Sequence, residues 1–217
     1  MAGLLIACDF DGTITERDTL HVIIDAFGAP GLWDALEPRM QAGQITVQEA
    51  MQLEFSAVRA TPSQVAEAVA REAPVRAGAL EFATAVAAAG HELVIMSAGF
   101  RSVIDPVLAK AGLSHLDVVS NEAHFTLDGC RIDWALPGEA CERCGRTCKR
   151  HAIAERRQGR EVVYIGDGIS DRCPSLDADQ VFARAGLAEY LGDQGVAYTP
   201  FDDFHQIAAH LDIPGTA

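Results

Sequence analysis

The stretch Leu4-Leu5-Ile6-Ala7-Cys8-Asp9-Phe10-Asp11-Gly12-Thr13-Ile14-Thr15 constrains this chain more than any other. A short, unbroken apolar run reads as a strand buried on both faces. It leads straight into two aspartates one residue apart. Alternate side chains on a strand share a side, so Asp9 and Asp11 start on one side of the strand end, and Gly12 lets the chain turn sharply after them. Carboxylates held this close repel unless a cation or a shared proton relieves them. The spacing therefore suits a metal site or an acid–base pair. It suits a strand cap before a polar turn equally well, and only the remaining residues can decide.

Beyond Thr15 the periodicity turns helical. Leu20, Ile23, Ile24 and Phe27 share a helical face that Gly28 ends. Leu32, Trp33 and Leu36 predict a short helix interrupted near Pro38. Thr46 and Glu49 have capping-box spacing, and Thr61-Pro62 offers an N-cap followed by proline at the first helical position. Residues 16–77 thus read as an all-helical insert, with residues 1–15 and 78–217 forming one α/β core around it.

In the core, strands are expected at residues 91–96, 117–120, 161–165 and 181–183, with a hairpin around Asp128-Gly129. Helices alternate with them, which predicts a doubly wound parallel sheet. Ligands bind such sheets outside the carboxyl ends of the strands. Three predicted strands end there in polar, glycine-bearing turns: Asp9-Phe10-Asp11-Gly12, Ser97-Ala98-Gly99 and Gly166-Asp167-Gly168. Their convergence favours a site over a set of unrelated caps.

Charge limits the ligand. Lys and Arg number 17 against 31 Asp and Glu, a formal net charge of −14. Nucleic acid and anionic membrane need an excess of cations, and none exists. A small phosphorylated molecule needs only one or two. No apolar run approaches the ~18 residues of a membrane span, and the first residues lack the pattern of a signal peptide, so a cytoplasmic address is expected. Nothing here separates a monomer from a homodimer.

Asp9-Phe10-Asp11-Gly12-Thr13, Ser97 after a strand, Lys149, and Gly166-Asp167-Gly168-Ile169-Ser170-Asp171 are similar, in that order, to the four motifs of the haloacid dehalogenase-like phosphatases. The helical insert resembles the C1 cap of that superfamily, in its phosphoserine phosphatase-like branch. The resemblance implies a Mg²⁺-dependent phosphatase working through an aspartyl-phosphate. Asp9 would be the nucleophile and Asp11 the general acid and base. Gly12, Thr13, Ser97, Ala98, Gly99 and Lys149 would hold the phosphate. Asp9, Asp167, the carbonyl of Asp11 and, directly or through water, Asp171 would hold the Mg²⁺. A phosphotransferase or mutase could use the same aspartyl-phosphate, and a non-catalytic binding module could keep the same fold.

The stretch Ile132-Asp133-Trp134 and Cys141-Glu142-Arg143-Cys144-Gly145-Arg146-Thr147-Cys148-Lys149 resembles the methionine-salvage phosphatases, which act on 2-hydroxy-3-keto-5-methylthiopentenyl-1-phosphate. Gly168-Ile169-Ser170-Asp171-Arg172-Cys173-Pro174 is also similar to phosphoethanolamine/phosphocholine phosphatases. Phosphoserine phosphatases often carry Glu where this chain has Asp18, one methylene shorter. Asp18 is a candidate specificity residue at the entry to the cap, and equally an N-cap. Cys141, Cys144 and Cys148 have a spacing that suits structural zinc, with His151 or Cys130 as the fourth ligand; reduced thiols in a flap are the other reading. Cys8 and Cys173 read as small packing residues.

Overall fold

The computed structural model describes residues 3–134, 141–144 and 148–213. Parts of the predicted flap and core, residues 135–140, 145–147 (with Arg146) and 214–217, lie outside the described residues.

β1 (Leu5–Cys8) is the centre of the sheet. Its four residues are fully buried and alternate between two cores. Ile6 and Cys8 join the larger one with Phe10, Phe82 and Phe100, while Leu5 and Ala7 pack with Val94, Met96 and Tyr164 on the other face. That is why the run shows no polar alternation. β1 pairs in parallel with β2 (Glu92–Phe100) and β5 (Val162–Gly166). The full order is β4-β3-β2-β1-β5-β6-β7, with β3 (Asp117–Thr126), β4 (Gly129–Asp133), β6 (Gln180–Ala183) and β7 (Thr199–Pro200). Every pair is parallel except β3 with β4. The helices flanking the sheet are α5 (Ala79–Ala88), α6 (Arg101–Lys110), α7 (Lys149–Arg157), α8 (Arg172–Ser175), α9 (Ala185–Asp193) and α10 (Phe204–His210).

Four helices lie between β1 and β2 before α5: α1 (Thr19–Phe27), α2 (Leu32–Gln41), α3 (Val47–Ser56) and α4 (Pro62–Glu72). The chain leaves and returns through one point. Thr15 bridges Val75 in antiparallel fashion, and Glu16 N donates to Pro74 O at 2.9 Å. Thr46 and Thr61 both form complete capping boxes. Phe55 of α3 packs edge-on to Phe100, ring centroids 4.7 Å apart, which draws this helical excursion onto the end of β2.

Several elements differ from the sequence expectations. β2 runs on through Ser97, Ala98 and Gly99 to Phe100, with a register shift between Met96 and Phe100, so these residues are strand rather than turn. Residues 117–126 form one strand, not two: β3 pairs first with β2 and then, past the end of β1, with β4. Pro38 lies inside α2, and the helix continues through it. α9, whose buried face is Leu187 and Leu191, and the two-residue β7 were not among the predicted elements.

Candidate active site

Asp9 directly follows β1, and its N–H donates to Ile165 O at 2.8 Å. The sheet ladder thereby fixes its backbone. Gly12 has φ +76°, and a Cβ there would lie 2.2 Å from Asp167 Oδ2. Only glycine lets the loop press against the carboxylate presented after β5. Two guanidinium groups hold the loop from behind. Arg76 Nε donates to Thr13 O at 2.8 Å and its Nη2 to Gly12 O at 2.9 Å, and Arg184 Nη1 donates to Gly12 O at 3.0 Å. These two clamps carried no motif signal, because they are joined to the loop only through its backbone carbonyls.

Lys149, at the start of α7, is 1% exposed. Its Nζ lies 2.5 Å from Asp9 Oδ1 and 2.6 Å from Asp171 Oδ1. Burial alone would lower the lysine pKa, but the Asp171 and Asp9 carboxylates hold it above its ordinary value. Asp171 is fully buried. Its Oδ1 also accepts from Tyr164 Oη at 2.6 Å, and its Oδ2 accepts from the N–H groups of Asp167 and Gly168, each at 3.0 Å. With so many donors, its carboxylate shapes the turn after β5 and anchors Lys149.

Carboxylate oxygens of Asp9, Asp167 and Asp171 lie within 4.8 Å of one another. Burial, then the Asp171 charge, pushes Asp9 upward against Lys149, and the same two causes raise Asp167 to about 7. Lys149 relieves this repulsion only in part, and such a set of hard oxygen donors fits a small divalent cation. Of the three, Asp9 and Asp167 retain the most free lone pairs. Thr13 Oγ1 donates to Asp167 Oδ1 at 3.4 Å.

Asp11 turns away from Asp167, toward the helical excursion. Its Oδ2 accepts from Ser97 Oγ at 3.1 Å, and its Oδ1 accepts from Thr19 N at 3.1 Å and from the Thr19 hydroxyl. Burial and the nearby Asp18 charge raise Asp11 to about 6, against the Thr19 hydrogen bonds. Ser97 Oγ also accepts from Gly99 N at 2.8 Å, and a Cβ on Gly99 would lie 2.7 Å from Asp11 Oδ2. The structure thus brings Asp9, Asp11, Gly12, Thr13, Ser97, Ala98, Gly99, Lys149, Asp167 and Asp171 to one sheet edge. Thr19, which sequence reasoning passed over, ties the first turn of α1 to Asp11.

Asp18 caps α1: its Oδ1 accepts from Leu20 N at 2.7 Å and His21 N at 3.1 Å. It also lines a cavity of ≈ 130 Å³ over Asp9 and Asp11, whose other walls include Leu20, Ile24, Trp33, Met51 and Phe55. Among the described residues no Lys or Arg lines it. Glu54 of α3 also lines this cavity and is 2% exposed, and its Oε1 has no hydrogen-bond partner among the described residues. A lone Glu in a helical stripe gave no warning of this. Burial raises Glu54 from 4.5 to about 7, opposed by His21. Its folded-state pKa is raised, so below about pH 4.5 the group costs nothing. The cost grows as pH rises toward 7 and is then constant. Glu54→Gln is therefore expected to match the parent protein near pH 4.5 and to exceed its stability by about 1–3 kcal/mol at pH 8. Urea unfolding of both proteins across that range checks it, and a pH-independent difference would remove the burial argument.

The cysteine cluster differs from its expected form. The Sγ atoms of Cys141, Cys144, Cys148 and Cys173 lie within 4.8 Å of one another. Cys173, expected to be a packing residue, stands where His151 or Cys130 was expected. Cys130 instead packs in the main core beside Phe125, while Cys8 is buried there as expected.

A family model described as haloacid dehalogenase-like hydrolase matches residues 6–173. Curated relatives named 2-hydroxy-3-keto-5-methylthiopentenyl-1-phosphate phosphatase include those of Brevibacillus brevis and Geobacillus kaustophilus. The first is 31% identical over 208 residues and the second 34% over 210, each covering 94% of this chain and 93% of the relative. A solved structure of a phospho-aspartyl intermediate analogue of phosphoserine phosphatase superposes with a TM-score of 0.76 at 16% identity, covering 97% of this chain and 99% of that one. A substrate-bound phosphoserine phosphatase complex gives 0.73 at 18%, covering 97% and 98%. Since the family model spans most of the chain and these relatives are 31% and 34% identical over 94% of it, the chain belongs to the haloacid dehalogenase-like hydrolases.

Proposed function

We propose that this chain is a Mg²⁺-dependent, cytoplasmic phosphatase that hydrolyses 2-hydroxy-3-keto-5-methylthiopentenyl-1-phosphate or a close analogue, with residues 16–77 acting as a cap over the site. In this reading Asp9 attacks phosphorus, and the bond from phosphorus to the leaving oxygen breaks. Asp11, raised to about 6 and so partly protonated near neutrality, gives its proton to that oxygen. Asp11 then takes a proton from the water that attacks the aspartyl-phosphate, releasing inorganic phosphate and restoring Asp9. Lys149 holds one oxygen of Asp9 and thereby orients the other. Ser97 and the backbone of the Gly12-Thr13 loop would receive the phosphoryl oxygens. Mg²⁺ held by Asp9 and Asp167 would neutralise charge on the transferred group.

The observation that carries the substrate reading is the cavity wall. Leu20, Ile24, Trp33, Met51 and Phe55 suit an apolar thioether tail, while Glu54, His21 and Asp18 can meet the hydroxyl and keto oxygens. Phosphoserine carries a carboxylate that would need a cation, and this wall supplies carboxylates instead. The phosphoethanolamine/phosphocholine alternative brings a cation that Asp18 and Glu54 could attract, so it is the reading to test against. Purified protein with Mg²⁺ is expected to turn over the methylthio enol phosphate with kcat/KM at least tenfold above phosphoserine, phosphoethanolamine and phosphocholine, releasing phosphate with no acceptor present. A preference for either amine ester would overturn the substrate reading, and a requirement for an acceptor would indicate a transferase. Asp18→Ala is expected to change these ratios more than it changes hydrolysis of a small aryl phosphate.

A further inference from the structure

We propose that Cys141, Cys144, Cys148 and Cys173 together hold one structural zinc ion, which fastens the segment before Lys149 to the turn that carries Asp171. The sulfur spacing is that of an ion's ligands. Cys173 Sγ lies 3.5 Å from Cys141 Sγ and 3.9 Å from Cys148 Sγ. A tetrahedral zinc with bonds of ≈ 2.3 Å separates its sulfurs by about 3.8 Å. A disulfide would need ≈ 2.05 Å.

The surroundings supply hydrogen-bond donors aimed at sulfur. Cys141, Cys148 and Cys173 are buried and Cys144 half-buried, and among the described residues the four form a cluster of their own with no aliphatic side chain in it. Arg150 Nη1 donates to Cys141 Sγ at 3.2 Å, and the backbone N–H groups of Arg143 and Cys144 also donate to that sulfur. The N–H of Arg150 donates to Cys148 Sγ. Such N–H donors, aimed at sulfur from the following residues, offset the negative charge of a four-thiolate site and orient its ligands. Arg143 and Arg150 are in turn both held by Asp177, which fixes the cationic surround.

The position gives the ion a role in the fold. Cys148 is the N-cap of α7 and makes no side-chain capping hydrogen bond, and the next residue is Lys149. Cys173 lies in α8, just after Asp171. One ion bound to both sulfurs would tie together, from outside, the two elements whose inner contact is the buried pair of Lys149 with Asp171. This inference does not depend on which phosphate ester the enzyme takes, because its readout is metal content.

The test uses the whole protein, purified under reducing conditions without added metal. Elemental analysis is expected to find about one zinc per chain, retained through gel filtration. Titration with an organomercurial is expected to release that zinc in step with the modification of four thiols. Cys173→Ser is expected to lose most of the zinc and to melt at a lower temperature. Should that variant fail to fold, the titration of the parent protein still decides. Zinc-free protein with the same melting temperature would overturn the proposal, as would iron in place of zinc, a disulfide among these cysteines, or full zinc retention in Cys173→Ser.

Discussion

Asp9→Asn is expected to lose at least about 10³-fold in kcat while melting within a few degrees of the parent protein. The substitution keeps the size of the side chain, and the Lys149 Nζ retains an oxygen to pair with at the same position. What disappears is the carboxylate proposed as nucleophile and one of the charges that would hold the cation. Kinetics with a generic aryl phosphate and a thermal melt, both with Mg²⁺, check the two halves separately. Turnover comparable to the parent protein would exclude an aspartyl-phosphate at this residue. A collapse in stability would mean that Asp9 mainly serves the ion pair.

Lys149→Met is expected to damage both activity and fold. The side chain is fully enclosed, and its ammonium is the cation on which Asp9 and Asp171 both converge. Removing it leaves two buried carboxylates facing each other, a loss expected to cost about 3–5 kcal/mol. Adding Asp171→Asn to Lys149→Met should recover a large part of that stability, since it removes one of the stranded charges. It should recover no activity, because the oxygen of Asp9 is then no longer held. Urea unfolding without Mg²⁺ and single-turnover kinetics on both variants provide the measurement. If Lys149→Met unfolds like the parent protein, the pair contributes little to stability and Lys149 acts on the phosphate alone.

The chain's local chemistry carried a large part of the reading. An unbroken apolar run ending in Asp9 and Asp11 marks the central strand, because only a strand covered on both faces can omit polar alternation. Thr46 with Glu49, and Thr61 with Pro62 and Gln64, mark helix starts, because capping is an interaction among neighbours in sequence. Gly12 was legible for the same reason: a reversal directly after a buried strand needs a residue that tolerates positive φ.

Long-range partners were not legible. The sequence offers Asp18 equally as a residue that meets substrate and as a helix cap; the folded chain uses one of its oxygens as the cap and leaves Glu54, which sequence did not single out, with an unpartnered oxygen in the same cavity. It suggests His151 or Cys130 beside the cysteine triplet, yet Cys173 arrives there because α8 packs on α7. Arg76 and Arg184 clamp the Gly12-Thr13 loop from positions far along the chain, through carbonyls that every residue possesses. Sequence by itself marked Asp9, Asp11, Ser97 and Asp167 as candidates and placed them near the carboxyl ends of their strands, since periodicity and capping act within a few residues. Tertiary structure decided which buried charge meets which, because desolvation and ion pairing depend on where the chain crosses itself, and spacing along the sequence does not record that.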